Sequence, residues 1–90
     1  MNEFLGLNIK YLRKAKHLTQ DQLADKIGVN RAMIGSYEEG RAIPKLSALR
    51  ILSHYFKISI DNLINIDLST ASANEFLNRN IDSAGKSLRV

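Results

Sequence analysis

Hydrophobic residues recur every three or four positions through most of this sequence, and that spacing predicts helices rather than strands. Near the start, Leu5, Ile9 and Leu12 are separated by four and three residues. This stripe predicts a first helix from about residue 2 or 3 to Lys16. No segment before residue 67 alternates with the period of two that is typical of a strand, so the pattern predicts an all-α fold.

The stretch from residue 19 to residue 37 predicts two short helices joined by a tight turn. Thr19 and Gln22 form a Thr-x-x-Gln capping box, which satisfies free amides at a helix start. About two turns of helix follow, with an apolar stripe made of Leu23, Ala24 and Ile27. Gly28 comes next, where a helix commonly ends in a left-handed residue that glycine adopts without steric cost.

Asn30 is a good N-cap for the second of these helices, and Ile34 and Tyr37 supply its inward face. Two helices joined by a short glycine-containing turn make a helix-turn-helix, whose second helix can lie in the major groove of DNA. The same caps and turn also occur in a plain corner of two helices in any small bundle. These local features alone leave both interpretations open.

A fourth helix is predicted from about Lys45 to Phe56. One face carries Leu46, Leu49, Leu52 and Phe56, with Ile51 and Tyr55 beside it. Lys45 is a poor N-cap, so another group is expected to serve the first amides of this helix. Ser59 predicts the start of a short fifth helix over about residues 60–65, with Leu63 and Ile64 turned inward.

We therefore predict a compact all-α bundle of five helices over residues 1–66, followed by a poorly specified tail over residues 67–90. The tail is rich in Ser, Asn and Ala and has a thin apolar stripe. It is compatible with a helix over about residues 71–80, with a linker or with a dimerisation segment. One hypothesis is that the chain is the N-terminal part of a longer regulator.

Charge is distributed unevenly along the chain. Residues 1–57 hold ten Lys or Arg against five acids, and residues 58–90 hold three against four, which together give the net charge of +4. A basic half that carries a helix-turn-helix is expected of a phosphate-binding module, although many soluble domains are as basic. The absence of cysteine, of a signal peptide and of a long apolar run favours a cytoplasmic protein.

With its helices placed, the sequence resembles the phage repressor and Cro type of helix-turn-helix domain, the XRE family, over residues 5–66. The resemblance rests on several coincident spacings. They are Leu18-Thr19-Gln20, Leu23-Ala24, Gly28-Val29, Ile34, Tyr37-Glu38-x-Gly40-Arg41, Pro44 and the closing ISIDNLI of residues 58–64.

The resemblance implies a role for each of several polar residues. Base edges would be contacted by Asn30, Arg31, Ala32 and Ser36, and DNA phosphates by Thr19, Gln20, Arg41 and Lys45. Arg31 suits guanine, to whose O6 and N7 it can donate two hydrogen bonds. Arg13 and Glu38 would form a structural ion pair. Gly35 is an unfavourable residue for the interior of the predicted recognition helix, since glycine inside a helix costs about 1 kcal/mol relative to alanine.

The predicted function is that of a sequence-specific DNA-binding transcriptional regulator, a repressor that binds a two-fold operator as a homodimer. Dimer contacts would use the fifth helix, through Ile60, Leu63 and Ile64, or the tail. The alternatives are an antitoxin that represses its own operon and binds a toxin through residues 67–90, and a protein-interaction module without DNA binding. The sequence offers no catalytic motif and no metal site, so we predict neither an enzyme nor a cofactor.

Overall fold

Five helices and short connections make up the part of the chain that the structure, a computed structural model, describes, which is residues 4–70. The helices are α1 (Leu5–Ala15), α2 (Gln20–Ile27), α3 (Arg31–Glu38), α4 (Leu46–Phe56) and α5 (Ile60–Asn65). Residues 4–70 contain no strand, and the predicted all-α bundle of five helices is confirmed. None of the described helices is long and apolar enough to span a membrane. The predicted helix over residues 71–80 lies outside the described residues.

The caps explain why the middle helices begin where they do. The Thr19 hydroxyl accepts from the Gln22 amide at 3.0 Å, and the Gln22 side chain accepts from the Thr19 amide at 2.8 Å, which completes the capping box. Ser59 caps α5 in the same way, through the amide of Asn62. Lys45 provides no side-chain cap for α4, as its chemistry predicts. The helices α1 and α4 begin one or more residues later than the pattern predicted, at Leu5 and Leu46.

The core lies where the apolar faces of all five helices meet. Its completely buried side chains are Ile9, Leu23, Ile34, Leu52, Leu63 and Leu68. Leu46, which the sequence pattern places on the apolar face of the fourth helix, is 67% exposed and lies outside the core. It occupies the first turn of α4, and the burial pattern shows that the packed face of this helix starts only at Ala48 and Leu49. Leu12 and Ile64 are half-buried.

Asn8, a polar residue on the buried face of α1, links that helix to the end of the bundle. Its side-chain amide donates to the carbonyl oxygens of Leu63 at 2.8 Å and Ile66 at 2.7 Å. Its side-chain oxygen accepts from the amide of Leu68 at 3.0 Å. The packed unit thus extends to Leu68, whereas the boundary at residue 66 between domain and tail stays a prediction.

Gly6 allows α1 to pack directly on the backbone of α3. A Cβ atom at this position would lie 2.4 Å from the carbonyl oxygen of Tyr37 and 2.9 Å from that of Glu38. Those distances are far below van der Waals contact, so only glycine fits. This close approach sets how α3 is oriented on the bundle, and the sequence pattern did not predict it.

Candidate nucleic-acid interface

The outward face of α3 carries the residues predicted to read base edges. Arg31 and Ala32 are exposed and Ser36 is half-buried, while Ile34 and Tyr37 point into the core. Ala32 and Ser36 are four residues apart and therefore lie on one side of the helix, and Arg31 lies beside Ala32 in its first turn. Within residues 4–70, the Arg31 guanidinium has no hydrogen bond or ion pair, so all five of its donors face solvent.

The side-chain oxygens of Asn30 and Thr19 are used to cap the helices that follow them. The Asn30 side-chain oxygen accepts from the amide of Met33 at 2.9 Å, which leaves its NH₂ group as the outward-facing donor. The Thr19 oxygen likewise accepts from Gln22, and its hydroxyl proton remains available. After capping, each of the two side chains keeps a free hydrogen-bond donor. Phosphate oxygens and several base edges are acceptors, so these donors suit DNA.

A buried hydrogen-bond network joins α1, α2 and α3 beneath this face. Arg13 binds Glu38 through two bonds, Nε to Oε2 at 2.6 Å and Nη2 to Oε1 at 3.1 Å, and its Nη1 donates to the Leu18 carbonyl at 2.7 Å. Gln20 donates from its amide to Oε1 of Glu38 at 3.1 Å. The carboxylate of Glu38 lies at the negative end of α3, and the guanidinium of Arg13 offsets that unfavourable position.

The loop after α3 folds back onto Ser36. Gly40 adopts a left-handed conformation with φ of 76°, and the amide of Arg41 donates to the Ser36 carbonyl at 2.9 Å. The amide of Gly40 donates to the Tyr37 carbonyl at 3.2 Å, which completes a Schellman motif. The Arg41 guanidinium also donates to the Ser36 hydroxyl at 3.1 Å and to Glu39. Arg41 is therefore joined to Ser36 twice, by a backbone hydrogen bond and by a side-chain hydrogen bond.

Lys45 stands at the start of α4, a helix whose first amides have no side-chain acceptor. Free amides and the positive end of the helix dipole favour an anion at such a position. Lys45 itself is exposed. Among residues 4–70 no group of His, Asp and Glu side chains has metal-binding geometry.

Comparison with known proteins agrees with this geometry. The sequence profile of the helix-turn-helix family (HTH_3) matches residues 9–63. The chain belongs to the helix-turn-helix family. This is a family of DNA-binding transcription regulators rather than of enzymes, and the domain is of the phage-repressor (XRE) type.

The relatives of this helix-turn-helix chain include regulators of bacteria and of phages. It is 37% identical to the transcriptional activator BcrR of Enterococcus faecalis over 57 residues, which are 63% of this chain and 28% of BcrR. It is 37% identical to the ImmF control region 10 kDa protein of Bacillus phage phi105 over 71 residues, 79% of this chain and 70% of the phage protein. The chain spans about half or less of the first curated relatives it matches.

A solved structure of the P22 c2 repressor in complex with a synthetic operator shares the fold of this helix-turn-helix chain. The TM-score is 0.67 at 27% sequence identity, over 70% of this chain and 96% of the repressor chain. The order of the five helices in this chain therefore belongs to a known architecture of DNA-binding domains.

Two features of this helix-turn-helix surface were missed at the level of sequence. The first is the contact of Gln20 with Glu38, and the second is the position of Glu39 beside Arg41. The sequence did contain an indication of these contacts. Glu38 and Glu39 both lie near the C-terminal end of α3, where a carboxylate is unfavourable unless a cation is close to it.

Gly35 is the one glycine inside α3, and its replacement by alanine is expected to stabilise the domain. A Cβ atom there would lie 3.9 Å from each polar atom of the Gln20 side chain, which is ordinary contact. Since alanine has the higher helix propensity, the free energy of unfolding of Gly35→Ala should rise by about 0.5–1 kcal/mol. Urea denaturation followed by circular dichroism measures this change.

Gly28→Ala is the matched control for this substitution. Gly28 has open space around it but a φ of 78°, so the same change should destabilise the domain by about 1 kcal/mol. Equal effects at the two positions would show that backbone conformation and helix propensity do not govern these glycines.

Proposed function

We propose that this chain is a sequence-specific DNA-binding transcriptional regulator whose α3 reads the major groove. The observation that carries this proposal is the outward face of α3, where Arg31 has no partner within residues 4–70 and lies in the first turn of a capped helix. Bases are read from the N-terminal part of a recognition helix in this class of motif. Asn30, Arg31, Ala32 and Ser36 are the proposed base-contacting residues.

The proposed phosphate contacts lie on both sides of that face. Thr19 and Gln20 stand at the N-terminus of α2, where the first amides have no partner within the helix and the Thr19 hydroxyl proton is not used in capping. Lys45 stands at the uncapped N-terminus of α4, and Arg41 lies in the loop that leads to it. The two helix N-termini, together with the cations Arg41 and Lys45 beside the second of them, suit two stretches of DNA backbone that flank one groove.

We further propose that the protein is a repressor and binds a two-fold operator as a homodimer. One short recognition helix buries too little surface for tight specific binding, and two copies on half-sites roughly 34 Å apart remedy this. Leu63 is fully buried in the core of this chain, so the proposed contacts of the fifth helix reduce to Ile60 and Ile64. Ile51 is 44% exposed and lines the same surface depression as Ile60, which adds it to this surface. The place of action would be the cytoplasm.

The test is selection of binding sites from a random duplex DNA library at two salt concentrations, with Arg31→Ala and Lys10→Ala alongside. The parent protein should select a two-fold symmetric motif, and higher salt should weaken binding. Arg31→Ala should lose about 1–3 kcal/mol of discrimination at one base pair in each half-site. Lys10→Ala removes one exposed charge from α1 and should leave the motif unchanged.

Two results would contradict this proposal. A folded protein that selects no motif at low salt would favour an interaction module. A motif that Arg31→Ala leaves unchanged would remove Arg31 from the set of base-reading residues.

A further inference from the structure

Ser36 and Arg41 form a pair in which the direction of the hydrogen bond is set by chemistry. The Arg41 Nη1 atom lies 3.1 Å from the Ser36 hydroxyl oxygen. A guanidinium has five N–H donors and no acceptor, so the hydroxyl oxygen of Ser36 must accept this bond. Its own proton is then directed elsewhere.

Within residues 4–70, no atom accepts the proton of the Ser36 hydroxyl. Serine in a helix can donate to the carbonyl one turn earlier, and Ser36 makes no such bond here. Ser36 therefore faces the groove as a donor.

Glu39 holds the guanidinium in the orientation that this arrangement needs. Its Oε1 atom accepts from Nε of Arg41 at 2.9 Å and lies 2.9 Å from Nη2. The backbone bond from the Arg41 amide to the Ser36 carbonyl keeps the two residues adjacent. Two of the five donors of Arg41 make hydrogen bonds within the protein, one to Glu39 and one to Ser36, and three remain for a phosphate.

We propose that Arg41, oriented by Glu39, is a positioning residue that biases the Ser36 hydroxyl towards donating, rather than accepting, when it reads a base. This inference rests on the proposed function of α3. A hydroxyl is normally tolerant because it can donate or accept. The bond from the guanidinium uses one of the two lone pairs of the hydroxyl oxygen, polarises its O–H as a donor and places a cation beside the remaining lone pair. Ser36 therefore favours bases that present an acceptor, namely guanine O6 or N7, adenine N7 and thymine O4, and it disfavours cytosine, which presents only its N4 donor.

The proposal predicts a cytosine penalty at one position in each half-site, identified as the position where Ser36→Ala loses its base preference. For the parent the penalty should be roughly three- to tenfold in relative affinity, which is the size of one neutral hydrogen bond. Arg41→Ala should abolish most of this penalty, because without the neighbouring guanidinium the Ser36 oxygen can accept from cytosine N4 as readily as its O–H can donate to the other bases. In a Ser36→Ala background, Arg41→Ala should have no further effect on base preference.

Two more variants separate this role from phosphate binding. Lys45→Ala removes an exposed cation, so it should weaken all sequences alike and leave the cytosine penalty intact. Glu39→Ala frees the guanidinium and removes a negative charge, so it should raise overall affinity while it lowers the cytosine penalty. If Arg41 served only as a phosphate contact, Glu39→Ala would raise overall affinity but would leave the cytosine penalty unchanged.

The experiment is library selection followed by affinity measurements on four duplexes that differ only at the identified position, with folding checked by circular dichroism. An unchanged cytosine penalty in Arg41→Ala would overturn the proposal, and so would a parent that prefers cytosine there or a Ser36→Ala variant that relaxes no position. Selection of no motif at all by the folded parent would instead overturn the proposed function, and the inference with it.

Discussion

Glu38→Ala is expected to lower the free energy of unfolding by about 3–5 kcal/mol, because it leaves the guanidinium of Arg13 buried without its carboxylate. The side chains of Arg13 and Glu38 are only 10% and 3% exposed, and two hydrogen bonds join them. The change also removes the acceptor of Gln20 and so loosens α2 from α3. For a small domain this is a large part of the total stability, so urea denaturation should find the variant partly or wholly unfolded.

The chain provides a matched control for this substitution at the next residue. Glu39 also pairs with an arginine, Arg41, at 2.9 Å, but the side chains of both residues are more than 60% exposed. Glu39→Ala should therefore change stability by less than about 1 kcal/mol. If both variants lost the same small amount of stability, the pair of Arg13 and Glu38 would not be the internal support of α3 that its burial indicates.

Gly6→Ala is expected to destabilise the domain by roughly 2–3 kcal/mol through overpacking. The added methyl group would lie 2.4 Å from the carbonyl oxygen of Tyr37, and a backbone atom cannot move aside as the end of a flexible side chain does. Either α1 or α3 must shift. Thermal denaturation measures the loss, and DNA binding at a temperature where the variant is folded reports whether α3 has been displaced.

Leu7→Ala serves as the comparison, since Leu7 is adjacent in sequence and 58% exposed. This change should leave stability within about 0.5 kcal/mol, as is usual for a surface position. A Gly6→Ala variant as stable as Leu7→Ala would show that the two helices can separate without cost.

The sequence carried enough information for the five helices because their signals are local. Capping by Thr19 and Asn30 and the left-handed turn at Gly28 each depend on residues within a few positions of one another. A pattern of that kind can be read without knowledge of the fold. The predicted roles of the DNA-facing residues came from family resemblance and remain proposals.

The packing contacts of α1 that the sequence pattern did not predict depend on residues far apart in the chain. Gly6 meets Tyr37, and Asn8 meets Leu63 and residues beyond it, so no short window of sequence contains both partners. One signal was present, since Asn8 occupies the apolar stripe between Leu5 and Ile9, where a polar side chain must find buried partners. For Leu46 the sequence pattern suggested a contact that is absent, since this residue continues the apolar stripe of α4 but is exposed. Hydrophobic periodicity does not show at which residue a helix first contacts its neighbours.

The hydrogen bonds of Asn8 have a consequence for the order in which the domain is made. They join residues that are 55 to 60 positions apart, so during translation α1 is complete long before any of its partners has been added to the chain. Until Leu68 leaves the ribosome, the Asn8 side chain lacks its full set of hydrogen-bond partners and part of the core is missing. Residues 63–68 therefore complete the packing of the helix that was synthesised first, and the nascent domain cannot reach its final structure by simple growth from its N-terminus.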